Sequence, residues 1–179
     1  MIEDVLNFWF AEGMDKKWFF KDPAFDKEVE KRLLPLYDKA SRGELKDWEN
    51  SVQGCLALCI LLDQVPRNMF RNDPKTFATD TVALNVAQIV VDKGWDKSLS
   101  EQERVFLYLP FEHSEELSHQ EKSLELYREL GEKSDWYVYA EKHEVIVRRF
   151  GRFPHRNEVL GRESTPEEIE FLKQPGSSF

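Results

Sequence analysis

The sequence contains little cysteine, with only Cys55 and Cys59 among 179 residues. The two lie four positions apart, which is not the C-x-x-C spacing of zinc or redox sites. On a helix they would share one face among apolar neighbours, where a free thiol behaves as a small hydrophobic group. We therefore predict two reduced thiols in a helical core rather than a disulfide framework.

A long apolar run and a basic leader are also missing. No apolar stretch approaches the roughly 18 residues that a membrane-spanning helix requires. The first residues, Met1 to Val5, are acidic rather than basic, which is not the pattern of a secretory signal. We therefore expect a cytoplasmic protein that does not bind a membrane.

Motifs for cofactors and for nucleophilic catalysis are absent as well. The sequence has no P-loop, no G-x-G-x-x-G fingerprint and no G-x-S-x-G turn. Its histidines show neither H-x-x-x-H nor H-E-x-x-H spacing, so we predict no metal site and no cofactor. A net charge of −9 also argues against nucleic acid as a partner, because nucleic-acid binding needs a broad basic surface.

Apolar residues recur at helical spacing along the chain, and no segment alternates with the period of a half-buried strand. Asp22 before Pro23, and Thr165 before Pro166, are typical of helix starts. Short connections predict tandem antiparallel hairpins. We therefore predict an all-α, TPR-like array of helical hairpins, without significant β-sheet, in a single domain spanning residues 1–179.

Three further signals predict where helices begin and end. Pro66 disfavours helical geometry at the preceding residue and should end the helix there. Ser100 with Glu103, and Ser118 with Glu121, have the spacing of capping boxes at helix starts, although the second of these helices could instead begin earlier, near Pro110.

A weak similarity links residues 65–68 with residues 153–157, since both stretches combine Pro, Arg and Asn. Each follows an apolar helix and precedes a helix that begins with Pro. Chance and a chain of two related helical halves both explain this similarity.

Arginine is concentrated in residues 148–162, which we call the arginine strip. The strip holds five Arg, no Lys and one Glu, a local charge of +4 in a chain of −9. A guanidinium forms planar, bidentate bonds to carboxylate or phosphate, so one interpretation is a site for a small anion. The other is structural: these arginines cap helix ends and pair with the surrounding acids.

Several longer motifs together resemble a known family. They are the stretches 5–10 (VLNFWF), 18–19 (WF), 61–68 (LLDQVPRN), 77–80 (FATD), 109–115 (LPFEHSE), 149–157 (RFGRFPHRN) and 160–165 (LGREST), with Gln120 and His143. These residues resemble the bacterial domain-of-unknown-function family 924 over nearly the whole chain. The resemblance implies an all-α, TPR-like helical fold and no assigned activity.

The polar residues of these motifs form the candidate site. Glu112 and His113 are candidate catalytic residues, because a carboxylate beside an imidazole is typical of proton transfer. The candidate ligand-binding residues are Arg67, Asn68, Asp80, Glu115, His143, Arg152, His155, Arg156 and Asn157. We expect the candidates to converge on one polar pocket that holds a small anionic molecule.

A structural interpretation stands beside the functional one. Arg67 can satisfy free carbonyls at a helix end, and His143 can be an ordinary core residue. The alternative function is a TPR-like module that binds a protein or peptide on a concave face with exposed aromatics such as Trp9, Trp18 or Trp136. A ligand site would instead gather its residues around one enclosed cavity.

Overall fold

The computed structural model describes residues 1–179 and contains helices but no strand. The α-helices are α1 (Ile2–Trp9), α2 (Pro23–Ser41), α3 (Val52–Cys59), α4 (Val65–Met69), α5 (Asp80–Asp92), α6 (Glu101–Glu112), α7 (Leu117–Arg128), α8 (Asp135–Phe150) and α9 (Pro166–Leu172). Short 3-10 segments cover Met14–Lys16, Lys46–Asn50, Pro74–Phe77, Trp95–Ser98 and Pro154–Arg156, and a π-helical turn, Ile60–Gln64, joins α3 to α4. The all-α prediction is confirmed, while the TPR-like arrangement stays a prediction.

The chain divides into two compact units. Unit 1 comprises residues 1–71 and 75–110, and unit 2 comprises residues 72–74 and 111–179. Helix α6 therefore contributes residues to both units. That the whole chain forms one domain, and that it consists of two related halves, stay predictions.

Aromatic rings fill the core of unit 1. Trp9 and Phe25 are buried with their ring centroids 6.2 Å apart, and Phe106 of α6 lies edge-on to Trp9 at 5.7 Å. Trp18 lies 4.7 Å from Phe106, and its indole N–H donates to the Trp9 carbonyl at 2.9 Å. Each such aromatic pair adds about 0.5–1.5 kcal/mol beyond area burial. The rings therefore fasten α1 and the segment around Trp18 to α6.

Most predicted helix starts are confirmed. The Asp22 side chain accepts hydrogen bonds from the first backbone N–H groups of α2. Thr165 and Glu168 form a reciprocal capping box at α9, and the Ser100 and Glu103 side chains bond each other's backbone N–H before α6. The box predicted at Ser118 is wrong. Helix α7 begins at Leu117 instead, after a turn in which the Ser114 hydroxyl accepts from a backbone N–H.

The helix end predicted at Pro66 is also wrong. Val65 has helical dihedrals, φ −56° and ψ −44°, and the helix continues into α4. Pro66 offers no N–H to the Leu62 carbonyl, and its ring crowds that carbonyl. The π-helical turn widens the helix at this point. The Thr79 hydroxyl then donates to the Leu62 carbonyl at 2.5 Å, so the helix continues without leaving this buried acceptor unsatisfied.

Unit 2 is built on a hairpin of α7 packed against α8. The Ser134 side chain caps α8, and Gly151, with φ 69°, ends it in the left-handed conformation that favours glycine. Residues 152–162 then connect α8 to α9 through a turn. The small core here consists of Ile146, Val147 and Phe153, with Phe150 and Phe171 packed against them.

Candidate functional site

Arg67 lies in α4 and is bound by carboxylates of unit 1. Its two Nη atoms donate to the two Asp80 carboxylate oxygens at 2.8 and 2.9 Å. One of them also donates to the Asp63 backbone carbonyl at 2.6 Å and lies 3.2 Å from the Asp63 carboxylate. Burial opposes the charge on Arg67, but Asp63 and Asp80 outweigh it and raise the pKa of the guanidinium. Arg67 therefore joins the π-helical turn to the start of α5.

Asn68 is also bound within the fold. Its side-chain amide donates to Asp26 at 2.9 Å, and Arg71 holds the same carboxylate with bonds of 2.7 and 2.8 Å. Helix α4 is thereby tied to α2. The contacts of Arg67, Asn68 and Asp80 support the structural interpretation of these residues, and their part in ligand binding stays a prediction.

Glu115 organises the chain that follows α8. Both of its oxygens accept from Arg162, at 2.7 and 2.9 Å, and one also accepts from the Phe153 backbone N–H at 2.8 Å. Burial raises the pKa of Glu115, but the bonds from Arg162 and Phe153 outweigh burial and lower it. Glu115 thus holds the turn around Phe153 against the segment after α6.

Glu168 organises the start of α9 in the same way. Its carboxylate accepts two bonds from Arg152 at 2.8 Å, one from Asn157 at 3.2 Å and one from the Thr165 backbone N–H at 2.8 Å. The bonds from Arg152 are the main reason why the pKa of Glu168 falls to about 2. Arg152 and Asn157 are therefore engaged with the scaffold, and their role as ligand residues stays a prediction.

The other arginines of the strip also meet acids. Arg148 lies 2.5 Å from Glu144 and 2.9 Å from Glu121, and Arg149 bonds Glu167 at 2.8 and 2.9 Å. Carboxylates thus neutralise Arg148, Arg149, Arg152 and Arg162. For these four arginines, the contacts support the structural interpretation of the strip.

A second polar group in unit 2 surrounds the ring of His143. We call it the His143 cluster, and its members are Glu112, His113, His143, His155 and Arg156. His143 is 5% exposed, and its Nδ1 lies 2.8 Å from the Tyr139 carbonyl and 3.1 Å from Glu112 Oε1. The His113 and His143 ring centroids are 6.2 Å apart.

Arg156 is the buried arginine of the strip, and its charge helps to lower the pKa of Glu115. The guanidinium is buried, donates to the His113 backbone carbonyl at 2.9 Å and lies 4.6 Å above the Phe153 ring. Phe153 also contacts the His143 ring, with centroids 5.6 Å apart, and the His155 ring at 5.7 Å. The Phe153 ring therefore adjoins three members of the cluster, Arg156, His143 and His155.

His143 is neutral in this environment. Burial lowers its pKa most, His113 lowers it next, and with the contributions of Arg156 and His155 the pKa reaches about 3, although the bond to the Tyr139 carbonyl opposes the change. The 3.1 Å contact with Glu112 is therefore not an ion pair at neutral pH. The contacts assign the proton to Nδ1, which leaves Nε2 as an acceptor.

We expect acid to weaken the fold through His143. An imidazole ordinarily has a pKa of 6.5, and the pKa of His143 is about 3 in the fold, so below pH 6.5 the unfolded chain binds a proton that the folded chain does not. The free energy of unfolding should therefore fall as pH drops from 6.5 to about 3, by up to about 1.4 kcal/mol per pH unit for one such group. Histidine NMR titration measures the pKa of His143 directly, and His143→Asn should flatten the dependence of the free energy of unfolding on pH. A His143 ring that titrates near pH 6.5 would contradict this assignment.

The cluster does not coincide with either of two surface recesses found in unit 1. One recess lies along α2 beside Lys27 and Pro35, and the other, of about 190 Å³, is lined by residues that include Leu58 and Val86. Neither recess is lined by a predicted site residue. No three His, Cys, Asp or Glu side chains are arranged to hold a metal ion. None of the helices combines the length and apolar character that a membrane span needs.

The structure thus sorts the predicted residues into separate groups. Within unit 2 it brings together Glu112, His113, His143, His155 and Arg156, while Arg67, Asn68 and Asp80 belong to contacts within unit 1. That all of the candidates share one pocket stays a prediction.

Two residues that matter in unit 2 were not among the predicted site residues. Glu168 carried a usable signal, because a Glu three positions after an N-cap Thr is typical of a capping box. Phe179, whose ring stacks on His143 with a centroid distance of 3.6 Å, carries no local signal in the sequence. A long-range aromatic contact of this kind depends on the path of the folded chain.

Comparison with known proteins gives a family and a related structure. The model of a family described as bacterial protein of unknown function (DUF924) matches residues 5–176. A solved structure of a protein of unknown function from Agrobacterium tumefaciens, ATU0120, is 44% identical, has a TM-score of 0.91 and overlaps over 96% of each chain. A search of curated proteins found no match. Both similarities extend through unit 1 and unit 2.

Proposed function

The chain belongs to the DUF924 family of bacterial proteins, and for this member we propose binding of a small anionic molecule at the His143 cluster. The supporting observation is the geometry of the cluster: the His143 and His155 rings and the Arg156 guanidinium all contact Phe153, and the His113 and His143 ring centroids are 6.2 Å apart. The charge of Arg156 lowers the pKa of His143, so it contributes positive potential at that ring. Gathering such groups around one buried imidazole costs stability, and functional sites often carry that cost.

The cluster offers complementary groups to an anion. The Arg156 guanidinium supplies planar N–H donors suited to a carboxylate or phosphate oxygen. Neutral His143 offers the lone pair of Nε2 to a hydroxyl or protonated oxygen of the ligand. Glu112, 3.1 Å from Nδ1, orients the ring. If His143 took the proton of that ligand oxygen at Nε2, Glu112 would stabilise the imidazolium that forms. Proton transfer involving Glu112 and His113 is part of this proposal.

The alternative function is binding of a protein or peptide, which calls for exposed aromatic residues. Trp9 and Trp18 are buried in the core of unit 1, and Trp136 is half-buried. Phe19, Phe20 and Tyr139 are exposed, so the exposure of aromatic residues favours neither function over the other.

A thermal-shift series tests anion binding. Phosphate, sulfate and small carboxylates should raise the melting temperature above that in sodium chloride of equal ionic strength. A ligand that binds only the native state stabilises by about 2.7 kcal/mol at a hundredfold excess over Kd. For a chain of this length that corresponds to roughly 5–11 °C.

Charge-matched variants locate the effect. Arg156→Ala and His155→Ala should abolish the anion-dependent shift. Arg149→Ala, which also removes one positive charge but from an exposed pair with Glu167, should keep it. This site would be ruled out if the anions raised the melting temperature no more than sodium chloride of equal ionic strength does. It would also be ruled out if the anion-dependent rise persisted in both Arg156→Ala and His155→Ala.

A further inference from the structure

The ring of Phe179 packs against the His143 cluster. It stacks on the His143 ring with the centroids 3.6 Å apart and the planes 16° from parallel. The His155 ring lies edge-on to it at 5.9 Å, and the Phe153 ring edge-on at 6.3 Å. Three rings thus form a slot for one planar ring, with the His143 face as its base.

The slot holds Phe179 without enclosing it. Phe179 is 47% exposed, whereas His143 beneath it is 5% exposed and Phe153 is fully buried. The segment that follows α9 folds back through Gly176, whose φ of 78° requires the left-handed conformation, and the Ser177 hydroxyl donates to the Leu172 carbonyl at 3.2 Å. Three ring contacts and the Ser177 hydrogen bond hold this segment, but nearly half of Phe179 is exposed, so an incoming ring can compete for its place.

From this arrangement we infer that the ligand is a planar aromatic ring bearing an anionic group, and that its ring takes the position that Phe179 occupies on His143. The inference rests on the proposed function and specifies its substrate class. Phe179 then acts as an internal competitor that covers the slot until the ligand arrives.

The chemistry of the slot fits such a ligand. His143 is neutral, so its face stacks with an aromatic ring without the desolvation of a charge. The Arg156 guanidinium lies over the face of Phe153, and the Phe179 ring lies edge-on to Phe153, so the positive charge and the slot share this ring as a neighbour. An aliphatic anion of equal charge would meet the same guanidinium but could not stack on the imidazole.

Binding of benzoate and of cyclohexanecarboxylate separates stacking from charge, because the two carry the same carboxylate on a planar or a puckered ring. Inorganic phosphate serves as the anion without a ring. We expect the wild-type protein to bind benzoate at least several-fold more tightly than cyclohexanecarboxylate. Phe179→Ala should tighten benzoate binding by about tenfold if the ring covers the slot in about nine molecules of ten. Its effect on phosphate should be smaller.

The ring protons of His143 report occupancy of the slot directly. A ring stacked on the imidazole shifts their NMR resonances, so Phe179→Ala should move them and benzoate should move them back. Phe20→Ala, which removes another exposed phenylalanine, is the matched control and should change neither benzoate affinity nor the His143 resonances.

The outcomes distinguish this inference from the proposal on which it rests. If phosphate binds at the cluster but benzoate binds no better than cyclohexanecarboxylate, or if Phe179→Ala leaves benzoate affinity unchanged, the aromatic assignment is overturned and anion binding stands. If none of the three anions binds either the wild-type protein or Phe179→Ala, both are overturned.

Discussion

Replacing Glu168 with alanine should lower the free energy of unfolding by about 3 kcal/mol. The Glu168 side chain is 3% exposed and accepts hydrogen bonds from Arg152, Asn157 and the Thr165 backbone N–H. Arg152, with 27% of its side chain exposed, can regain water after the change, but Asn157 is only 1% exposed. Leaving a buried donor without its acceptor costs about 1–3 kcal/mol, and loss of the N-cap partner adds to that.

The neighbouring residue provides the matched control. Glu167 is also an acid in the first turn of α9 and also pairs with an arginine, but its side chain is 63% exposed. Exposed pairs contribute about 0–1 kcal/mol, so Glu167→Ala should cost at most that much. Urea unfolding of the two variants at pH 7 measures the difference, and equal losses would show that the Glu168 hydrogen bonds do not stabilise unit 2.

At acid pH, wild type and Glu168→Ala should have similar free energies of unfolding. A glutamate carboxyl ordinarily has a pKa of 4.5, and the pKa of Glu168 is about 2 in the fold, so the carboxylate binds a proton less readily when the chain is folded. Its contribution to stability is therefore complete above pH 4.5 and is lost as pH falls towards 2. The difference in free energy of unfolding between the two proteins should therefore decrease between pH 4.5 and pH 2. A difference that does not depend on pH would show that Glu168 stabilises by packing rather than by its charge.

The sequence was sufficient where the signal is local. Asp22 before Pro23 and Thr165 before Pro166 predict helix starts because an N-cap and a first-turn proline act within a few residues. Helical periodicity likewise gives the all-α class. The end predicted at Pro66 failed because a distant residue, Thr79, supplies the donor for the Leu62 carbonyl. A rule that considers only the residues next to Pro66 cannot identify that donor.

The candidate site shows the same division. The motif at Glu112 and His113 and the later His143, His155 and Arg156 could be singled out as polar residues next to apolar helices, and in unit 2 they lie together. The partners of the arginine strip could not be predicted from the sequence, because they depend on which acidic residues the fold brings next to it. Glu115 is 47 positions from Arg162 and still binds it with two hydrogen bonds.

Removing Arg67 should be the most destabilising single change in unit 1, with a loss of about 3–5 kcal/mol for Arg67→Ala. Arg67 is the cation shared by Asp63, which is fully buried, and Asp80, whose side chain is 17% exposed. Without it the two carboxylates lose the charge that offsets their burial. The Asp63 backbone carbonyl also loses a hydrogen bond, in the π-helical turn where the helix is already irregular.

Two further variants test whether the charge of Arg67 or the geometry of its guanidinium accounts for the loss of stability. Arg67→Lys keeps the charge but cannot form the bidentate contact with Asp80, so it should lose about half as much stability as the alanine variant. Arg42→Ala removes an arginine from an exposed pair with Glu44 and should cost no more than about 1 kcal/mol. Urea unfolding ranks the three variants. If Arg67→Ala were as mild as Arg42→Ala, the buried carboxylates would be satisfied without Arg67, and its prediction as a ligand residue would regain support because the fold would no longer need it.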